Sequence, residues 1–373
     1  MGMRTNAFAK WDAAQSAHSA FYRKVGDITL TMSAISRVIR SLVQSGVLAL
    51  GAYLVIGGEL SGGMILASNI IVGKALAPAE QMIANWRKLT AARQAWQRLK
   101  AVSIANLVPP ERTLLPPPRR RLNLENISVA PPGAQRLVVQ NTSFALEAGS
   151  VLGVIGSSGS GKSSLTRAIV GVWRPVAGHV RLDGASLDQW DTDERGRHIG
   201  YMPQYSELFP GSVADNIARL GKTPNDDAII TAGQAAGVHD LIVSFPEGYQ
   251  TQVAERGDNL SAGQRQRISL ARALYGDPFL VVLDEPNSNL DAEGERALVA
   301  AINTVRDRRG IVIVVSHRNH ILSVVDFLLV VEGGIARAFG PRDAVLQSIA
   351  QEAARVVATG LKPAESAVER QRV

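Results

Sequence analysis

The chain has 373 residues, enough for more than one domain or for one domain with appended segments. It holds no cysteine, which excludes disulfides, thiolate zinc sites and iron–sulfur clusters, and its six histidines are scattered without a metal spacing such as HExxH. A net charge of +7 fits a nucleic-acid binder, a membrane-facing protein or a phosphate binder and does not choose among them.

The opening residues, "MGMRTNAFAKWDAAQ", are polar and lack the apolar centre of a cleavable signal peptide. Residues 1–40 read as mixed helix rich in Ala and Ser. Two apolar arms follow, at about 40–58 and 62–82, separated by the turn "GGELSGG" (57–63). The cores of the arms fall short of the roughly 20 residues that cross about 30 Å of hydrocarbon, but extended to their polar flanks each becomes long enough. Arg23, Lys24, Arg37 and Arg40 precede the pair, Arg87, Lys88, Arg93, Arg98 and Lys100 follow it, and the turn carries only Glu59. That asymmetry places both ends in the cytoplasm and the turn outside. The alternative is a buried helical hairpin of a soluble protein. Lys74 keeps that alternative open, because a cation at mid-bilayer costs roughly 2.5–3.5 kcal/mol unless it faces a polar pathway or a partner helix. Ile83, Trp86, Leu89, Trp96 and Leu99 fall at helical spacing, so the second arm is expected to continue beyond the bilayer. The first region is therefore drawn at 1–107.

"VPPERTLLPPPRRR" breaks regular structure with five prolines and marks a stiff linker at 108–121. Its "RRR" reads either as a patch for nucleic acid or lipid headgroups or as a solvated linker end. After Leu122 the pattern changes to short β-rich runs, "LNLENISVA", "LVVQNTSFAL" and "SVLGVIG", and then to the apolar runs "FLVVLDEP" and "GIVIVVSHR", which read as buried parallel strands separated by helices. This is an α/β domain over 122–345. A tail at 346–373 is Ala-rich and charged, and "LKPAESAVERQRV" reads as disordered.

Three motifs in the α/β domain carry chemistry. "GSSGSGKSS" comprises Gly156, Ser157, Ser158, Gly159, Ser160, Gly161, Lys162, Ser163 and Ser164, fits G-x-x-x-x-G-K-[ST], and follows the strand "VLGVI". A glycine-rich loop between strand and helix points backbone N–H groups at one spot, where the positive end of the helix dipole adds to them. Lys162 would reach the β- and γ-phosphates and Ser163 would ligate Mg²⁺; the bland reading is a Gly-rich structural turn. In "FLVVLDEP", Asp284 ends a strand, where it can hold Mg²⁺ through water, and Glu285 beside it could polarise an attacking water. In "LSAGQRQR" (260–267), Ser261 and Gly263 suit phosphate contact at a helix N-terminus; read alone it is a helix cap with a basic first turn.

Together these motifs resemble the ATP-binding-cassette (ABC) family, with "LSAGQRQR" as its signature. Three further elements stand in family order: "YMPQ" places Gln204 at the Q-loop, "SNLD" (288–291) resembles the D-loop with Asp291, and "VVSHR" places His317 at the switch position. The resemblance covers about 122–345. It implies an α/β P-loop NTPase fold, with a parallel-sheet core, an antiparallel β subdomain and a helical signature subdomain, preceded by an all-α membrane-helix segment. It also implies ATP and Mg²⁺ as cofactors, with Ser163, Gln204 and Asp284 at the metal. Glu285 would activate water, and His317 would hold the γ-phosphate. Two domains would pair head to tail, so that Ser261, Ala262, Gly263 and Gln264 complete the partner's γ-phosphate cage.

"TQVAERGDNLSAGQRQR" (251–267) and "GYMPQYSELFPGSVADNIARL" (200–220) look like exporter sequences, and "GVWRPVAGHVRLDGASLDQWD" and "FGPRDAVL" are most similar to type I secretion ATPases of the protease/lipase exporter kind. The implied assembly is a homodimer in the bacterial inner membrane, multi-pass, with its ATPase domains in the cytoplasm. It would work with a membrane-fusion adaptor and an outer-membrane channel on a secreted polypeptide. Three departures stand out: Ala262 where the signature usually has glycine, Pro131 where most exporters stack an aromatic on adenine, and two membrane helices where a family half-transporter has six. The last leads to the expectation that the chain is a fragment or begins late. Two competing readings are a soluble ABC ATPase acting on nucleic acid, and a remnant that binds ATP but moves nothing. The apolar hairpin, the loop at 251–257 and the lack of a base-stacking aromatic cluster argue against nucleic acid.

Overall fold

The computed structural model describes residues 2–105, 115–134 and 136–359. The Pro-rich linker from 108 to 114 and the terminal "LKPAESAVERQRV" lie outside the described residues. The chain divides into two units, Met1–Pro110 and Glu111–Val373.

The first unit is a helical hairpin, α1 (Arg4–Ile56) and α2 (Gly62–Ala105). The mixed stretch 1–40 and the first apolar arm form one uninterrupted helix. Its Ser and Thr residues do not break it, because hydroxyls such as that of Thr31 bond back to the carbonyl four residues earlier (2.7 Å). At the turn, Gly58 takes φ +77°, and the amides of Gly57, Gly58 and Glu59 close the last carbonyls of α1. The helices approach closely where a side chain is missing: a Cβ on Gly51 would lie 3.2 Å from Ile65 Cγ1. Among the described residues, α1 is the one helix long and apolar enough to cross a membrane; the apolar part of α2, Gly62–Pro78, is shorter and carries the exposed Lys74. The apolar side chains of the hairpin point outward: Tyr53 is 74% and Ile56 87% exposed. Apolar surface of this extent marks contact with a membrane or a partner.

The second unit is built on one mixed ten-stranded sheet. In chain order its elements are β1 (Arg121–Val129), β2 (Val139–Glu147), β3 (Val151–Ile155), α3 (Lys162–Ile169), β4 (Ala177–Leu182), β5 (Ala185–Ser186), α4 (Thr192–His198), β6 (Ile199–Met202), β7 (Gly211–Ser212), α5 (Val213–Ile217), α6 (Asp226–Ala235) and α7 (His239–Val243). There follow β8 (Gln252–Val253), α8 (Ala262–Leu274), β9 (Leu280–Asp284), α9 (Ala292–Asp307), β10 (Ile311–Val315), α10 (Asn319–Leu322), β11 (Phe327–Glu332), β12 (Ile335–Pro341) and α11 (Arg342–Thr359). The sheet order is β5-β4-β1-β2-β12-β11-β3-β10-β9-β6. The half from β11 to β6 is parallel, and the half from β5 to β2 is antiparallel. Strand β12 joins them, antiparallel to β11 and touching β2 in parallel register at Ile335 and Gln140.

The parallel strands are buried on both faces. In β10 every residue is buried: Val312 and Val314 pack into one core, and Ile311, Ile313 and Val315 into the other. A period-2 backbone delivers alternate side chains to opposite faces, so a continuous apolar run serves two cores at once. Helices α5 to α8 and the small β7–β8 pair form a layer over one of those cores. The helices start where polar caps stand: Asp291 accepts from Gly294 N–H to open α9, and Ser212 and Asp215 form a reciprocal capping box on α5.

Candidate active site

Four adjacent parallel strands carry the sequence-predicted residues on their carboxyl ends. The loop Gly156–Gly161 leaves β3, Asp284 ends β9 with Glu285 next, His317 lies two residues past β10, and Gln204 two residues past β6. Open parallel sheets bind ligands at this edge, because the following helices start there and aim free N–H groups at a common point.

The loop after β3 depends on glycine at two places. Gly156 has φ +153°, and a Cβ there would sit 2.0 Å from Val331 O; Gly161 has φ +102°, with Val138 O 2.5 Å from where its Cβ would stand. Gly161 caps α3 without a side chain, so the first-turn amides of Lys162, Ser163 and Ser164 have no intrahelical or side-chain cap acceptor. Lys162 is buried, and its Nζ donates to Gly156 O (2.7 Å) and Ser157 O (2.8 Å), folding the ammonium back over the loop. Burial pulls the Lys162 ammonium below its usual range, while Glu285 and Asp284 pull it back up. Ser157, Ser158 and Gly159 form the turn of this loop, closed by the Ser160 N–H to Ser157 O (3.2 Å). The buried Ser160 Oγ has no partner.

Across from Lys162 stands the acid pair. Asp284 is 1% exposed, and neither of its carboxylate oxygens has a hydrogen-bond partner. Burial pushes its pKa up; the nearby Ser163 hydroxyl opposes this, and Glu285 adds to it. Glu285 adopts φ +50°, rare for a residue with a Cβ. Its N–H donates to Val315 O (3.0 Å) and its Oε2 accepts from Gln204 Nε2 (3.0 Å). Lys162, Asp284, Glu285 and Gln204 thus form one charged cluster, and His317 is exposed beside it at the neighbouring strand end. Pro131 lies in the bend after β1, its carbonyl accepting from Ala134 N–H (3.0 Å).

The signature residues belong to a different element. Ser261 caps α8: its Oγ accepts from Gln264 N–H (3.2 Å), and Gln264 Oε1 accepts from Ser261 N–H (2.8 Å). The amides of Ala262 and Gly263 lead that exposed helix end, without an intrahelical acceptor. Asp291, the cap of α9, pairs with Arg267 of α8 (2.5 Å).

Two groups were not singled out in the sequence. Gln266 is 3% exposed and reaches from α8 to the backbone between Glu285 and Asn289. Asn287 is buried and accepts from the Ser316 hydroxyl (3.2 Å), tying the loop after β9 to the residue before His317. Their residue types gave a signal only in context, since a Gln in "GQRQR" looks like part of a solvated basic turn.

A phosphate-cradling loop, a lysine folded over it and a buried acid pair on adjacent strand ends define a P-loop ATPase domain of the ABC type. Residues 139–288 match the ABC transporter family model. Over 96% of its length the chain is 52% identical to the type I secretion system ATP-binding protein PrsD of Rhizobium meliloti (strain 1021), of which it spans 63%. Over 90% of its length it is 33% identical to the cyclolysin secretion/processing ATP-binding protein CyaB of Bordetella pertussis and 30% identical to the α-hemolysin translocation ATP-binding protein HlyB of Escherichia coli O157:H7, spanning 47% of each. The fold is similar to that of a bacterial Atm1-family ABC exporter solved with ATP bound, at a TM-score of 0.80 and 23% identity, covering 95% of this chain and 64% of that one. The chain belongs to the ABC transporter ATPases and is similar to the ATP-binding proteins of type I secretion systems. It spans about half to two thirds of the length of these curated relatives.

Proposed function

We propose that the chain powers export of a polypeptide across the bacterial inner membrane, by ATP hydrolysis at a site shared between two copies. The observation that carries this is the cluster of Lys162, Asp284, Glu285 and Gln204 on adjacent strand ends, in a chain 52% identical to a type I secretion ATP-binding protein.

The amides of the loop after β3 and of the first turn of α3 would receive the phosphates, and the Lys162 ammonium would leave the Gly156 and Ser157 carbonyls for the β- and γ-oxygens. Glu285 would take up a proton of the attacking water as its oxygen bonds to the γ-phosphorus and the bond to the bridging oxygen breaks, leaving ADP and phosphate. Gln204 holds the Glu285 carboxylate in register for that water. His317 would donate to the γ-phosphate. The Ala262 and Gly263 amides, which lead a different helix from the one that follows the phosphate loop, would close over the γ-phosphate of the partner.

Ser163, Asp284 and Gln204 would hold Mg²⁺. Both oxygens of Asp284 are buried and unpartnered, which suits a cation, and the few protein oxygens suit an ion that keeps waters and phosphate ligands. Bound with ATP, Mg²⁺ supplies neutralisation of the β- and γ-phosphate charge. The α1–α2 hairpin would lie in the bilayer with the turn at 57–61 on the far side, and, as the family resemblance implies, the chain would work with a membrane-fusion adaptor and an outer-membrane channel on a secreted polypeptide.

Glu285→Gln tests the chemistry. The full chain should hydrolyse ATP, and the variant should bind ATP but hydrolyse it at least ~100-fold more slowly, accumulating as an ATP-bound dimer on size exclusion. Equal hydrolysis by both proteins contradicts the role given to Glu285.

A further inference from the structure

We propose that Gln266 is a positioning residue that fastens the signature helix α8 to the segment bearing Glu285, so that where the Glu285 carboxylate stands depends on where α8 stands. The proposal rests on the water-activating role given to Glu285 above.

Gln266 sits on the second turn of α8, with its side chain directed out of the helix layer. Its Nε2 donates to Pro286 O (2.5 Å) and lies 3.4 Å from Glu285 O and 3.3 Å from Ser288 Oγ, while its Oε1 accepts from Asn289 N–H (3.0 Å). Both ends of one planar amide are therefore committed to residues 285–289. Glutamine suits this position because a single rigid group offers two donors and an acceptor, and a buried backbone segment needs both kinds. The next residue, Arg267, pairs with Asp291, whose carboxylate caps α9. Adjacent residues of α8 thus grip both ends of the loop 285–291.

That loop begins with a strained residue. A non-glycine residue in the left-handed region persists only where its surroundings over-determine it. For Glu285 these surroundings are the Val315 carbonyl, the Gln204 side chain and, just after it, Gln266. The first belongs to the sheet, and the last belongs to the helix whose exposed N-terminus carries Ser261, Ala262 and Gly263. A phosphate held at that N-terminus would set the position of α8, and through Gln266 the position of the acid in the same chain. Each copy would then bring its own Glu285 into full alignment only when its signature is engaged, and would hydrolyse ATP more slowly when it is not.

The test uses the full chain with Gln266→Leu and Gln266→Glu, each alone and combined with Glu285→Gln. ATP affinity, multiple-turnover hydrolysis and single-turnover residual hydrolysis are measured. Gln266→Leu should leave ATP affinity within about two-fold and lower kcat by about ten-fold or more, and in the Glu285→Gln background it should lower the residual rate by less than about two-fold. A merely structural loss would multiply through both backgrounds, so an equal fold-change in each overturns the proposal, as does a wild-type kcat for Gln266→Leu. Should Gln266→Leu fail to fold, Gln266→Glu, which keeps the acceptor for Asn289 N–H and loses the donor, carries the same comparison. Wild-type hydrolysis by Glu285→Gln alone overturns the role of Glu285 and this proposal with it, an outcome distinct from wild-type hydrolysis by Gln266→Leu.

Discussion

Asp284 shows how a single residue is held against its own stability. Its carboxylate is buried with no hydrogen bond of ordinary length, and burial raises its pKa although the Ser163 and Thr166 hydroxyls nearby partly oppose this. A carboxyl whose folded pKa is raised favours folding while protonated and loses that contribution as pH rises through the folded value. The nucleotide-free protein should therefore become less stable as pH increases from the ordinary carboxylate range upward, and Asp284→Asn should flatten that slope. Thermal melts in chelator across pH 5–8 should show the variant gaining on wild type as pH rises, with hydrolysis lost. Identical slopes would mean that this carboxylate does not govern the pH dependence. The phosphate loop was legible because its residue types are each demanded by geometry: glycine at Gly156 and Gly161, where a Cβ would meet a carbonyl, and lysine where an ammonium can span the loop. Gln266 was not legible, because nothing local separates an amide pointing to water from one buried against a backbone 20 residues further along.

Among the elements, buried strands and amphipathic helices differed in how plainly they announced themselves. The runs "LVVLD" and "IVIVV" signal strands with two covered faces, and both lie at the centre of the parallel half. Strand β12 signals little: its residues alternate between exposed and half-buried, yet it joins the two halves of the sheet. Its role is set by pairing with β11 and β2, and not by its own pattern. In the other unit, the stretch 1–40 reads as helix, but its polar residues do not reveal that it runs unbroken into the first apolar arm as α1. The outward-facing apolar surface of α1 and α2 leads to an element-level expectation. Expressed in bacteria, the full chain should stay with the membrane pellet after high salt and alkaline carbonate and be released by detergent. Release by salt alone would place the hairpin outside the bilayer.

At the scale of the whole molecule, the catalytic cluster and the signature sit on different elements, and each uses only part of what phosphate binding needs. The cluster supplies a lysine, an acid pair and loop amides, and the signature supplies a second, exposed helix end whose capping side chain is already committed to Gln264. Two copies arranged head to tail would make each site from both chains, and each copy would then hold half of two sites. The most direct test of that claim is complementation between Lys162→Ala and a bulky substitution in the signature, Ser261→Arg, each inactive alone. Mixed in equal amounts and allowed to exchange subunits, half of the dimers pair the two variants, and each such dimer keeps one site with both an intact lysine and an intact signature. ATP hydrolysis of the mixture should therefore rise clearly above that of either variant alone, to at most about a quarter of the wild-type rate, because the Glu285 of the intact site lies on the chain whose own signature is blocked. A mixture no more active than either variant alone would contradict a site shared between chains.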